Sequence, residues 1–368
     1  RRWRVVRPGA GAPAPPPMYL EYSPSRIVHH LLARGWLSFD DVLAGAVVLV
    51  PMGRLNSTYR LFRGGAPYLF IKQAAPHPDP AACGVAREAA FLALAGRLPG
   101  LAEHVPRLVE HDPERRLLLL ELYDVGETEL LPPPEGAAGL GRALAALHGH
   151  STDLEPAVAG TATRLTHWTL QVGPKLRMRH QNRGQKELYA LLLRNRELVA
   201  ALSALEGLWE YEGVIHADAK WDNCILTPAS GEAPPRVRLA DWESVRVGDF
   251  AWDVAGILQD LWMRWIASMP LSASTLPGSA GAAVPLEDVA RTARAFWDAY
   301  RSHAGMDEAG AERRLAKAVR FAAARMVQTA SEQSGQLGFV GYSPVALLQF
   351  AHNVAARPDE ARATLLGF

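Results

Sequence analysis

Two apolar segments enclose the stretch "VIHADAKWDNCIL", residues 214–226. Within it His216, Asp218 and Asn223 stand in the spacing H-x-D-x-x-x-x-N, and Asp241 follows in "LADWE". Transfer of a phosphoryl group to an alcohol asks for such a set. One carboxylate must orient the hydroxyl and accept its proton. A second carboxylate and an amide oxygen must hold Mg²⁺ against the phosphates. Asp218 fits the first role; Asn223 and Asp241 fit the second. Magnesium prefers hard oxygen ligands, so the neighbouring Cys224 reads as a small core residue rather than a ligand.

Groups that anchor phosphates are expected upstream. Lys72 ends the apolar run "PYLFIK", and Glu88, sixteen residues on, falls in a helical pattern where it can hold Lys72 by a salt bridge. In "GRLNSTYRLF", Gly53 permits a bend while Asn56, Ser57 and Thr58 offer an amide, hydroxyls and backbone N–H groups to an anion. This is neither the glycine-rich loop of protein kinases nor a Walker A sequence. Taken singly the residues have plainer readings. Asp and Asn cap turns, a strand-end lysine is usually solvated, and a helix glutamate is usually exposed.

The elements that must position these groups are legible as changes of period. "PSRIVHHLLARGWL" has helical spacing from Pro24. "AVVLV" reads as a strand, and "STYRLF" and "PYLFIKQ" as a hairpin around "RGGA". "PAACGVAREAAFLALAGRL" is a helix, and "PRLVEHDPERRLLLLEL" two strands around "DPER". "DVGETELLPPPEGA" reads as a linker. Helical patterns dominate thereafter, including one over "QKELYALLLRNRELVAALSALEGLW". They are interrupted by the charged stretch and by two short strands, "NCILTP" and "RVRLADWE". The expected architecture is α+β and bilobal. It has an N-terminal arm (1–23), an antiparallel β-sheet lobe with one key helix (24–122), a hinge or linker (123–138) and a mainly helical lobe (139–368).

The 368 residues are 49% hydrophobic, enough for a large core. A net charge of +1 gives no global attraction to nucleic acid or membrane. No apolar run approaches the about 20 residues of a membrane span. Two cysteines, Cys83 and Cys224, make no disulfide framework, so a reducing cytoplasm is expected. "RRWRVVRPGAGAPAPPP" lacks the apolar centre of a signal peptide. It reads as a mobile leader or an arm for an acidic partner, with Met18 as a possible translation start.

"HADAKWDN", "LADWE" and "GDFAWDVAG" resemble the catalytic loop, metal-binding segment and following helix start of the aminoglycoside phosphotransferase and choline kinase-like family, which has the protein-kinase-like fold. The resemblance runs in order over roughly residues 50 to 260. It implies an ATP- and Mg²⁺-dependent kinase acting on an alcohol. Asp218 would be catalytic base, Asn223 and Asp241 magnesium ligands, and Lys72 with Glu88 the phosphate-anchoring pair. Backbone groups from Glu121 to Tyr123 would hold adenine, Asp253 would brace the catalytic loop, and His216 would orient its backbone. Lys220 would lie near the γ-phosphate, while Glu243 would serve near the metal or pair with an arginine. Two departures remove no functional group: Phe250 replaces a frequent Pro, and Ala217 stands where a Gly is common. Ala217 is strained only if the backbone there needs positive φ, at about 1 kcal/mol.

The acceptor is marked by charge alone. Arg164, Lys175, Arg177, Arg179, Arg183, Lys186, Arg194 and Arg196 face only Glu187 and Glu197. That balance suits an acidic partner better than a polycationic aminoglycoside, although a solvated helix face would look the same. "IHADAKWDNCIL", the "KQ" at 72–73 and "LLQFAHNVAARPDEA" are further similar to the kinase components of class V lanthipeptide synthetases. Those phosphorylate Ser and Thr of a precursor peptide, and a separate lyase partner then eliminates the phosphate. The alternatives are a small-molecule kinase (for an aminoglycoside, macrolide, choline or homoserine-like alcohol) and a nucleotide-binding pseudokinase.

Overall fold

The computed structural model describes residues 23–52, 57–74, 84–124, 130–158, 167–173, 181–227, 235–269 and 282–367. The first lobe opens with α1 (Pro24–Ala33), whose leading proline fits the first helical turn. A short helix absent from the sequence reading, α2 (Phe39–Leu43), follows. Ser38 and Asp41 close a reciprocal capping box at its start, the Ser38 side chain accepting from the Asp41 N–H at 3.1 Å. Then come β1 (Val47–Pro51), β2 (Ser57–Arg63), β3 (Ala66–Gln73), α3 (Gly84–Ala95), β4 (Leu108–Asp112) and β5 (Leu117–Glu121). The five strands form one antiparallel sheet in the order β1-β2-β3-β5-β4.

Period-two alternation decides what each face covers. Tyr59, Leu61, Leu69, Ile71, Leu117 and Leu119 form a core with Ile27 and Leu31 of α1. Leu118 and Leu120 point the other way and join Val85, Ala89, Phe91 and Leu92 of α3, in a core continuous with the second lobe. "LLLL" in β5 is apolar throughout because both faces are covered.

The second lobe contains α4 (Pro134–Gly149), α5 (Ser151–Val158), α6 (Arg183–Arg194) and α7 (Arg196–Ala204). The strands β6 (Gly213–Ile215), β7 (Cys224–Thr227), β8 (Arg236–Leu239) and β9 (Arg246–Gly248) follow, then α8 (Phe250–Ala267). It ends with α9 (Leu286–His303), α10 (Glu308–Leu337), α11 (Tyr342–Ala356) and α12 (Pro358–Leu366). β6 pairs with β9 and β7 with β8, both antiparallel, and the charged stretch bridges the two ribbons. Among the described residues no helix is long and apolar enough to cross a membrane.

Two boundaries differ from the sequence reading. α4 starts at Pro134, inside the expected linker 123–138. A proline run suggests a linker, but its last member is also a favoured first residue of a helix. The helix expected over 185–209 is two helices broken at Asn195, whose side chain accepts from the Leu198 N–H at 3.0 Å and caps α7.

Candidate active site

The charged stretch is a loop held by its own polar groups. Asp218 N–H donates to His216 Nδ1 at 3.2 Å, so the proton of the neutral ring lies on Nε2, which donates to Ala240 C=O at 2.9 Å. His216 is fully buried, and burial holds its pKa below the ordinary value despite the carboxylates around it. The ring thus ties the loop to the segment that carries Asp241. Asn223 extends the tie. Its Nδ2 donates to Asp218 C=O at 2.9 Å and to Asp218 Oδ2 at 3.2 Å, while its C=O accepts from Ala240 N–H at 2.7 Å. Ala217 has φ +67° and Asp241 φ +68°, so both sides of the site use the left-handed region that side chains ordinarily avoid.

One face of α8 sets the loop's shape. Asp253 accepts from the N–H groups of His216 at 2.7 Å and Ala217 at 2.8 Å. Two turns on, Asp260 accepts from Trp221 N–H at 2.9 Å. Gly256 lies between them, where an added Cβ would stand 2.5 Å from Ala219 C=O. Arg264 then reaches Asp260 at 3.2 Å and Asp222 at 2.5 Å, fixing the loop's outer end. The backbone donors of a strained loop thus find acceptors at helical intervals.

Lys72 is the meeting point of the lobes. Its ammonium donates to Glu88 at 2.8 Å and to Asp241 at 2.5 Å, and lies 3.0 Å from Glu243. Burial disfavours its charge, but the three carboxylates outweigh that and raise its pKa above the ordinary lysine range. Glu88, itself buried, also accepts from Trp242 N–H at 3.3 Å. Arg87 donates to Glu243 C=O at 2.8 Å, and Phe91 stacks on Trp242 with centroids 4.1 Å apart. These contacts dock α3 on the Asp241 segment. Glu243 meets an arginine through its backbone and Lys72 through its carboxylate.

Asp218 is held among cations. Lys220 lies 2.7 Å and Arg325 3.3 Å from its two oxygens. Burial would raise its pKa, but Arg325 and Lys220 prevail and hold it below the ordinary carboxylate range, so it is an ionised acceptor at neutral pH. Arg325 comes from α10 and also donates to Ala217 C=O at 3.0 Å.

The remaining expected residues are placed less uniformly. Thr58 is buried directly opposite Lys72 in the β2–β3 register, and among the described residues its hydroxyl has no hydrogen-bond partner. Ser57 opens β2 opposite Gln73. Asn56, with Gly53, lies outside the described residues. The Glu121 carboxylate pairs with Arg107 at 2.8 Å, and Tyr123 carries the Arg238 guanidinium 4.2 Å over its ring. The N–H groups of Glu121 and Leu122 are bonded to Arg107 and Tyr68 carbonyls. Trp262 is fully buried and packs with Trp265 against Phe350, as core does.

The sequence reading did not single out Asp260, Arg264 or Arg325. Their signal was weak but present: a charged residue inside an otherwise apolar helical run, as in "RFAAARMV".

The sequence model of the phosphotransferase enzyme family matches residues 46–326. No curated protein matches the chain. Among solved structures, an ethanolamine kinase from Plasmodium vivax is 11% identical, with a TM-score of 0.56 over 92% of this chain and 90% of that one. A choline kinase from Cryptosporidium parvum is 11% identical, with a TM-score of 0.53 over 92% and 96%. An aminoglycoside 2'-phosphotransferase-IIIa in complex with GDP is 12% identical, with a TM-score of 0.52 over 92% and 98%. The matched span contains both lobes' contributions to the Lys72 junction and the whole braced loop, and the chain belongs to the phosphotransferase enzyme family, with the protein-kinase-like fold of the aminoglycoside phosphotransferases and choline kinases.

Proposed function

We propose that the protein is an ATP- and Mg²⁺-dependent kinase that phosphorylates an alcohol hydroxyl. The observation that carries the reading is the junction at Lys72, where a lysine of the sheet lobe meets Glu88 and the Asp241 carboxylate of the helical lobe. Asn223 sits beside Asp218 and is hydrogen-bonded to the residue before Asp241. The amide oxygen of Asn223 and the carboxylates of Asp241 and Glu243 are hard oxygen donors that suit Mg²⁺, which when bound would neutralise phosphate charge. Lys72 would hold the phosphates, with the Thr58 hydroxyl, unpartnered among the described residues, opposite it on β2, and Glu121 to Tyr123 would flank adenine. Asp218 takes the acceptor's proton as the hydroxyl oxygen bonds to the γ-phosphorus. The bond from that phosphorus to the β,γ-bridging oxygen breaks, and ADP leaves with the electron pair.

For the acceptor we favour Ser and Thr side chains of a ribosomally made precursor peptide, with a separate lyase acting afterwards. Support comes from α6 and α7, which expose Arg183, Lys186, Arg194 and Arg196 against Glu187 and Glu197. Arg164, Lys175, Arg177 and Arg179 lie outside the described residues. A second reading, a small-molecule alcohol, draws on the ethanolamine and choline kinases that share the fold. Incubation with ATP, Mg²⁺ and either a cognate precursor or an alcohol panel decides between them. Phosphate adducts on the peptide, detected by mass spectrometry, support the first reading. ADP release with small alcohols alone supports the second, and an enzyme no faster than its Asp218→Asn variant on every acceptor rejects both.

A further inference from the structure

Near the proposed base, two donors have no task in the chemistry above. Arg246 opens β9 opposite Ile215, the residue before His216. It is half-buried, and its Nε donates to Ser244 C=O at 3.1 Å. Among the described residues no carboxylate forms an ion pair with it. The second donor is His167, at the start of a short 3₁₀ turn. Its Nδ1 accepts from Thr169 N–H at 3.4 Å and lies 2.8 Å from the Thr169 hydroxyl. The neutral ring therefore carries its proton on Nε2, for which no protein partner is found among the described residues.

The two belong to one neighbourhood: Gly248, two residues on from Arg246 and on the same face of β9, faces Trp209, whose ring lies 5.5 Å from that of Trp252. The His167 ring lies 4.8 Å from the buried indole of Trp252, and Arg325 packs on the same indole at 5.4 Å. Arg325 in turn touches Asp218. Burial first, then Arg325 and Arg246, hold the His167 pKa well below its ordinary value, although Asp218 opposes them. Burial, Arg87 and Arg325 depress Arg246, and Asp253 and Asp218 offset this only in part. His167 thus remains a neutral donor, and Arg246 is a cation whose surroundings do not neutralise it. A partly desolvated guanidinium without a contacting anion is costly, and a bound anion removes the cost.

We propose that Arg246 and His167 form a receptor for an anionic group of the acceptor, a carboxylate or phosphate carried next to the hydroxyl that Asp218 activates. Arg325, packed on the same indole as His167, adds to the positive potential. This rests on the phosphotransferase reading and names its substrate class: an alcohol with a neighbouring acid, such as a serine flanked by Asp or Glu. A guanidinium binds a carboxylate or phosphate through two parallel N–H bonds, and an imidazole N–H can add a third. A quaternary or primary ammonium acceptor would meet like charge at the same place.

The test uses matched acceptors with ATP and Mg²⁺: the peptide Gly-Glu-Ser-Glu-Gly against Gly-Gln-Ser-Gln-Gly, and D-glycerate against glycerol. The acid member of at least one pair is expected to exceed its neutral partner about tenfold in kcat/KM. The pair that shows the advantage names the source of the anion. Arg246→Gln should abolish that ratio and Arg246→Lys keep part of it, which separates a lost contact from a lost fold. Equal rates for acid and neutral members of both pairs, or a ratio unchanged in Arg246→Gln, overturn the receptor while leaving the kinase reading intact. If no acceptor gives ADP above the Asp218→Asn background, the kinase reading falls first. D-glycerate titrated onto protein saturated with ADP and Mg²⁺, followed by calorimetry, then decides the receptor alone. Saturable binding lost in Arg246→Gln sustains it; no saturable binding to the wild type ends it.

Discussion

Arg325 and Asp218 lie 3.3 Å apart, one on the long helix α10 and the other on the charged loop, and Arg325 also donates to Ala217 C=O at 3.0 Å. One buried guanidinium therefore fixes both the backbone and the charge state of the proposed base. Arg325→Met should lower kcat by about a hundredfold, the range general-base contributions span. Arg325 helps hold the Asp218 pKa down, so its loss must raise that pKa and move the acidic limb of the kcat/KM profile to higher pH. The same sign applies to stability. A carboxyl with a depressed folded pKa stabilises above its unfolded pKa of about 4, and that contribution fades as pH falls through the folded value. A variant with reduced kcat and an unmoved acidic limb would show that Arg325 acts on the loop's shape alone.

Lys72 offers a test at the junction of the lobes. Lys72→Met leaves Glu88, Asp241 and Glu243 facing one another without their cation. Losing one partner of a buried pair costs about 3–5 kcal/mol, so the variant should unfold at clearly lower denaturant and lose nucleotide binding. Raised pKa values act in the opposite sense to depressed ones. Lys72's contribution is complete below the unfolded lysine pKa of about 10.4 and is lost only as pH rises through the higher folded value. The stability gap between wild type and Lys72→Met should therefore not close as pH rises through the neutral range; it should narrow only toward acid, where the buried Glu88, its pKa already raised by burial, takes up a proton in the variant. A gap that closes between about pH 7 and 9 would contradict the assignment.

Asp253 accepts two backbone N–H groups of the loop and faces His148 at 3.4 Å. Asp253→Ala strands both donors in a buried place, each at about 1–3 kcal/mol. We expect a loss of about 3 kcal/mol in denaturant unfolding, together with activity loss that added substrate does not restore. Normal stability with lost activity would instead assign Asp253 to the chemistry.

How much of this was visible beforehand depended on distance along the chain. The sheet lobe was legible because "STYRLF" and "PYLFIKQ" alternate in step with the pleat, and because Gly64 and Gly65, with φ +60° and +82°, supply the turn. Lys72, Glu88, Asp218, Asn223 and Asp241 were legible as polar exceptions at apolar boundaries. β6 and β9 were not, since three residues hold no period. Asp260, Arg264 and Arg325 were hidden for another reason. Each occupies a core-facing position of a helix, where a single charge resembles amphipathic variation, and the Trp221 N–H and the Asp218 carboxylate they answer lie 39 and 107 residues away. Asn195 is a cap by residue type, but it stands within a continuous helical pattern that conceals the break.

Ala217 tests the loop's backbone strain. With φ +67°, its Cβ crowds the adjacent peptide at about 1–2 kcal/mol. Ala217→Gly removes that strain but adds disorder to the unfolded chain, worth about 0.5–1 kcal/mol in the opposite direction. The net expectation is neutral to slightly stabilising, read as an unchanged or raised denaturation midpoint. Ala217→Val should lose more than the alanine strain, because β-branching disfavours this region further. A glycine variant that unfolds distinctly earlier would mean that the methyl group, which is almost fully buried, contributes more by packing than it costs by strain.

Gly256 is the contact point between α8 and the loop, and it yields the sharpest separation of fold from function. A methyl group there would stand 2.5 Å from Ala219 C=O and 3.3 Å from Arg325 Nη2. Neither the helix backbone nor the carbonyl can yield without moving the loop. Gly256→Ala gains about 0.5–1 kcal/mol of helix propensity, which offsets part of the clash, so the fold should survive. The displaced loop carries Asp218 and Asn223, and a shift of about 1 Å at reacting groups costs about a hundredfold in rate. The expected variant is folded by circular dichroism and close to wild type in ADP affinity measured without Mg²⁺, because Lys72 and Glu88 are untouched. Its turnover is nevertheless strongly reduced. Full turnover would show that the loop is not held against this helix in the working enzyme.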